Sequence, residues 1–233
     1  MKRLLSAFFA AVFLLCGCGG AQEETAPSFS NISIEILDEQ QDFGGFTAGP
    51  PAEAKSARLL VESVLGQYPA EFPDQWGEVE ILLVGNLTGT DAFAGGHYAG
   101  FTQRMGDGWR MVLDAKRCKE GTVHHEIAHI LDGILTEAGA LTEAQWLDLC
   151  PSGFQYGCGD WETLADFFVD GYAMTDIRED RARTFEEAVI HGSGVYAEKP
   201  ALWLKLDYFC KAIRAHFDTE GWPEKTVWEM GLE

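Results

Sequence analysis

The sequence predicts an α+β fold, and three observations point to it. Apolar runs suited to strands fall in the first half of the chain, at residues 32–36, 79–84 and 109–114. Segments with helical spacing dominate the second half. Between the two lies the stretch 123–132, where Val123, Ile127, Ile130 and Leu131 make an apolar stripe at helical spacing. The expected architecture is a small mixed sheet, a central helix and a mostly helical C-terminal part.

Taken in order, the chain opens with Lys2 and Arg3 and then an apolar run over residues 4–15. That run is too short for a bilayer-spanning helix and reads as a signal peptide. Leu15-Cys16-Gly17-Cys18 has the pattern of a lipobox, with Cys18 the expected lipidated residue. Cys16 is less suited, because bulky Leu15 would sit at the cleavage position. The alternative is a plain secreted protein cut near the same place. Residues 1–18 are thus a lipoprotein leader, and 19–28, lacking any apolar period, a flexible tether. Gly19 follows the cysteine where an inner-membrane retention signal would carry Asp, which favours the outer membrane if the cell is Gram-negative. The remainder, 29–233, is apolar enough for one sizeable core, with hydrophobic residues at 46% of the whole chain. It is expected to be a monomer.

Within that part, 32–36 alternates as a strand, and Pro50-Pro51 opens a helix over about 52–67 with Leu59, Leu60, Val64 and Leu65 on one side. Residues 79–84 are the clearest buried strand. A Gly/Thr-rich passage leads to 97–102, and a strong strand at 109–114 precedes the central helix, which Gly121 and Gly133 bracket as expected ends. Beyond it, 141–149 reads as a short helix and 150–159 as a Gly-rich loop. Further helices follow at 161–173, where Asp160 is the N-cap, at 178–190, and at about 200–217 after a break at 192–194. The aromatic stripe of the last helix reads as core.

Two counts narrow the function. Of six cysteines, four lie in the folded part: Cys118, Cys150, Cys158 and Cys210. An even number in an exported protein suggests two disulfides with three possible pairings, of which Cys150–Cys158 and Cys118–Cys210 are the ones favoured. None of the spacings suits a cysteine-based zinc knuckle. The net charge of −20 excludes nucleic acid and adhesion to anionic lipid through protein charge, leaving a lipid on Cys18 as the membrane contact.

The chemistry sits at His125-Glu126-x-x-His129. Residues four apart lie one turn above each other on a helix, so both imidazoles can reach one metal ion. Glu126, about 100° round the helix, is placed to hold a water instead. Zinc lowers the pKa of its water to roughly 7, and a glutamate there can take the proton as the water attacks a carbonyl. Two histidines need a third ligand. Glu162, with Asp166 one turn on, offers a carboxylate and a partner for the second nitrogen of a ligating imidazole.

His125-Glu126-x-x-His129 followed by Glu162-x-x-x-Asp166 resembles the gluzincin metallopeptidases, the group that includes thermolysin and the anthrax lethal factor catalytic domain. His-His-Glu-Ile-Ala-His-Ile-Leu with the later Trp-Glu-Thr-Leu-Ala-Asp-Phe-Phe is most similar to the bacterial lipoproteins called "putative zinc-binding metallopeptidases". The resemblance covers about residues 80–175. It implies a zincin-like metalloprotease domain over 29–233 with Zn2+ held by His125, His129 and Glu162, Glu126 as general base and Asp166 behind a histidine. Lethal-factor-type members carry a tyrosine a few residues before the ligand glutamate, which makes Tyr156 the candidate oxyanion donor and His191 its rival. An edge strand in 95–101 would pair with extended substrate. The expected activity is hydrolysis of a peptide or protein substrate by an exported enzyme. The alternatives are a non-catalytic zinc-binding surface lipoprotein acting as an accessory, and a structural domain whose histidine spacing is coincidental.

Overall fold

A computed structural model describes residues 29–90 and 96–233. The expected leader, lipobox and tether all lie outside the described residues. The fold is α+β, with strands β1 (Ile32–Ile36), β2 (Gln41–Asp42) and β3 (Phe46–Gly49), helix α1 (Lys55–Leu65), then strands β4 (Val79–Gly89), β5 (Gly100–Met105) and β6 (Gly108–Asp114). Helices α2 (Glu120–Glu137), α3 (Glu143–Leu147), α4 (Trp161–Leu164), α5 (Ile177–His191) and α6 (Pro200–His216) complete it. Among the described residues no helix is long and apolar enough to cross a membrane.

The small mixed sheet is built on β4. Its first half runs parallel to β1 on one side and to β6 on the other, so Val79 lies opposite both Ile32 and Trp109. Its second half leaves β1 and pairs antiparallel with β3. The switch falls at Gly85, where a side chain would strike the Pro50 carbonyl, and at Asn86, which adopts a φ of 56°. The unbroken apolar run of β4 follows from burial on both faces. Val79, Ile81 and Leu83 pack into the main core with α2, while Leu82 and Val84 join a smaller cluster with Phe43 and Val112. β5 closes the sheet antiparallel to β6 and forms its edge beside α2.

Helix α2 begins at Glu120, so Gly121 lies at its N-terminal end as the sequence suggested, but it runs on past Gly133 to Glu137. Both are needed for close approach. A methyl group on Gly133 would run into the Trp109 ring, and one on Gly121 would meet Glu186 of α5. Helix α1 turns Ala57, Val61, Val64 and Leu65 inward, whereas Leu59, expected inside, is 55% exposed. The late helices match the expected ones closely, and α6 buries Leu202, Leu206 and Phe209.

The expected helix over 161–173 does not form. It stops after one turn as α4, and side chains bond several of the backbone groups beyond it. Lys205 Nζ donates to the Phe167 carbonyl at 2.7 Å, Trp161 Nε1 donates to the Phe168 carbonyl at 3.3 Å, and Asp170 accepts from Ala173 N–H at 2.9 Å. The expected disulfides are absent too. Cys118, Cys150, Cys158 and Cys210 are free thiols, and Cys150 points inward to within 3.8 Å of the Tyr156 hydroxyl while Cys158 is exposed.

Replacing Gly133 with Ala should destabilise the protein by about 3 kcal/mol through overpacking against Trp109. Urea unfolding measures the loss, and adding Trp109→Leu should recover part of it, because the two sites are coupled through one contact.

Candidate metal centre

α2 lies between the edge strand β5 and helix α5, and the space between those walls is a cleft of about 520 Å³. Its floor carries His125, Glu126 and His129, presented on one face of α2 as the four-residue spacing requires. The third group comes from the first turn of α5. His125, His129 and Glu179 each offer a ligand atom, all within 4.8 Å of one another.

The three separations define the site. His125 Nε2 is 3.2 Å from His129 Nε2 and 3.1 Å from Glu179 Oε2, and His129 Nε2 is 3.5 Å from the same oxygen. Ligands held about 2.0–2.1 Å from a tetrahedral ion stand roughly 3.3–3.4 Å apart. The donor triangle therefore has the size of one face of such a tetrahedron, and two imidazoles with one carboxylate are the donor set that leaves a position open.

The surrounding shell orients these groups. Glu186, two turns beyond Glu179 on α5, lies 3.2 Å from His125 Nδ1, and Arg183 holds Glu186 from the other side while binding Asp170 at 2.9 Å. Glu126 is buried, and Thr102 Oγ1 of the edge strand donates to its Oε2 at 2.9 Å. Gly100 gives that carboxylate room, since a Cβ there would come within 3.2 Å of Glu126 Oε1. Tyr172 leans over the site with its ring 6.1 Å from that of His125 and its phenol near the Glu179 charge. His124 turns away into the core, where its Nδ1 meets the Tyr68 hydroxyl at 2.7 Å.

Charge follows from this packing. Burial alone would lower the pKa of His125, but hydrogen bonds with Glu179 and Glu186 outweigh it and push the value up to about 10. Burial likewise favours the neutral forms of Glu179 and Glu186, yet the histidines, with Arg183 on Glu186, hold both carboxyls below their usual range. Glu126 is different: burial raises it, and the two histidines and Thr102 only partly offset that. Tyr172 is raised by burial and by the Glu179 charge.

Several expected residues lie elsewhere. Glu162 sits exposed on α4 and is not in the converging group; Glu179 stands where it was expected. Asp166 is exposed, and Glu186 is the carboxylate behind His125. Tyr156 donates to Asp180 at 2.7 Å behind α5, while the tyrosine over the site is Tyr172. His191 lies outside the cleft, paired with Glu187 at 3.4 Å. The edge strand begins at Gly100, the position before Phe101 that closed the expected span. A signal for the missed residues existed: Glu179, Arg183 and Glu186 fall at i, i+4 and i+7 of a helix that the sequence does predict.

No family model matches the sequence, and no curated protein is similar to it. The fold is shared with a crystal structure of a "putative zinc-binding metallo-peptidase" from Bacteroides caccae, over 87% of this chain and 83% of that one. The TM-score is 0.53 at 16% identity. The likeness is therefore one of fold, an α+β architecture common to the two chains.

Glu179→Gln should reduce zinc content after dialysis against a weak chelator by at least about tenfold, whereas Glu162→Gln should leave it at the parent level. A proton should leave as well. The raised pKa of His125 means that its imidazolium stabilises the metal-free fold fully below pH 6.5 and that this contribution fades as pH climbs toward 10. Zinc competes with that proton, so binding at pH 7.5 should release about one proton, measured by calorimetry in buffers of different ionisation enthalpy.

Proposed function

We propose that the protein is a zinc-dependent hydrolase of peptide bonds, with His125, His129 and Glu179 as the metal ligands. One observation carries this reading: the three donor atoms span separations of 3.1 to 3.5 Å while a buried carboxylate of the same helix, Glu126, lies in the same cleft. When bound, the ion supplies Lewis acidity for a carbonyl and for a water.

The chain's own residues do the rest. Glu126 is the proton acceptor: its carboxylate is enclosed in the cleft beside the two histidines, and a base so placed can also return the proton to the leaving amine. Thr102 fixes the carboxylate orientation through Oε2. Tyr172 takes the role first assigned to Tyr156, its phenol kept protonated at neutral pH and able to donate to a developing oxyanion. Glu186 keeps His125 in the tautomer whose Nε2 faces the cleft. Strand β5, at the sheet edge along the cleft, offers backbone groups to an extended peptide. The proposal extends to location: the leader and Cys18 support export and a lipid anchor at the cell envelope.

Glu126→Gln should keep zinc at the parent stoichiometry and lower peptide hydrolysis by about 10³-fold or more, read with a quenched-fluorescence peptide library. Tyr172→Phe should lower turnover by about 10²-fold with the metal retained. Parent-level hydrolysis by the Glu126 variant would remove that residue from the mechanism.

A further inference from the structure

The cleft is electrically polarised along α2, a feature that hydrolysis as such does not require. At the end beyond His129, two guanidinium groups line it from opposite walls: Arg104 from the edge strand β5 and Arg178 from the first turn of α5. Arg104 lies over the Trp109 ring at 4.6 Å, which holds the charge in place without consuming it. Its partner is Glu137 at 3.1 Å, whose side chain is 57% exposed. Arg178 pairs with Asp176 at 3.1 Å, the two side chains being 70% and 46% exposed. Ion pairs this exposed are weak, so either arginine can exchange its partner for a ligand at little cost. The opposite end differs. There Arg183 is locked between Asp170 and Glu186, with Glu187 behind it. In a chain of net charge −20, two exchangeable arginines lining one cleft run against the composition, and the carboxylate that shares this end, Asp132, is already paired with Arg181.

We propose that this end of the cleft is a carboxylate subsite, and that the substrate is an acidic peptide whose aspartate or glutamate side chain, or terminal carboxylate, is taken by Arg104 and Arg178 together. A planar guanidinium fork matches a carboxylate with two parallel hydrogen bonds, and one from each wall clamps it across the cleft. The surrounding acidic surface repels such a peptide everywhere else, so the arginine pair also sets its direction along α2. The subsite deepens the hydrolase reading but is separable from it, because it binds whether or not a bond is cut.

The test uses the full-length, zinc-loaded Glu126→Gln protein and labelled peptides of one sequence that carry Glu, Gln or Lys at a scanned position, each with a free or an amidated C-terminus. Fluorescence anisotropy should show Glu peptides binding about tenfold tighter than Gln peptides, a difference that shrinks in high salt. Preference that follows the scanned position assigns the side chain; preference that follows the free terminus assigns the terminal carboxylate. Adding Arg178→Gln or Arg104→Gln should abolish the discrimination with zinc content unchanged, and Arg178→Glu should reverse it toward Lys. Equal binding of Glu and Gln peptides together with equal binding of free and amidated termini, a preference that survives both arginine substitutions, or no binding of any peptide overturns the subsite. Arginine-dependent binding without cleavage by the parent protein overturns the hydrolase reading and leaves the subsite standing. Cleavage without acidic preference does the reverse.

Discussion

The antiparallel packing of α5 across α2 is the constraint on which the site depends. Successive side chains on a helix are about 100° apart, so α5 must sit in one register for Glu179 to face the histidines. Two buried ion pairs fix it. Arg181 donates to Asp132 of α2 at 2.6 Å, and Asp180 accepts from Lys205 of α6 at 2.7 Å, with Trp146 and Tyr156 donating to the same oxygen. Buried ion pairs return little net stability against their desolvation cost. What they contribute here is position: Glu179 and Asp180 are neighbours in sequence, and with Asp180 held at the back of the helix, Glu179 is turned toward the cleft.

The sheet supplies the other wall by the same kind of close fit. Gly133 lets α2 settle onto Trp109 of β6, and Gly100 lets the start of β5 approach Glu126. Thr102, two residues along that strand, then meets the Glu126 carboxylate. The glutamate is thereby enclosed between helix and sheet edge, and enclosure is the first cause of its raised pKa. Position and acid strength come from one packing arrangement.

Much of this was legible in the sequence, and the part that was not has physical reasons. The strands β4 and β6 and the spacing of His125, Glu126 and His129 are local signals, and they place a two-histidine face beside a sheet. The third carboxylate is not local. Residues 161–173 read as a sound helix with an acidic face, but the helix ends after one turn, and Lys205 and Trp161, one of them 38 residues away in the chain, bond the carbonyls of Phe167 and Phe168 beyond it. The proposed third ligand and tyrosine accordingly lie further down the chain, at Glu179 and Tyr172 rather than at Glu162 and Tyr156. The cysteines fail in a similar way. Their even count says nothing about direction, and Cys150 faces the core while Cys158 faces solvent.

Charge balance supports the proposed divalent ion over a proton alone. Glu126, Glu179 and Glu186 gather around the two histidines, and Arg183 is shared between Glu186 and Asp170. A proton on His125 supplies one positive charge against the remaining two carboxylates, and Glu126 is left with its pKa raised. A divalent cation supplies both charges while the imidazoles stay neutral, which is the form in which they act as ligands. Under that balance Glu126 keeps its negative charge inside a buried cleft. The basicity proposed for Glu126 and the ligand set proposed for the ion thus follow from a single electrostatic requirement.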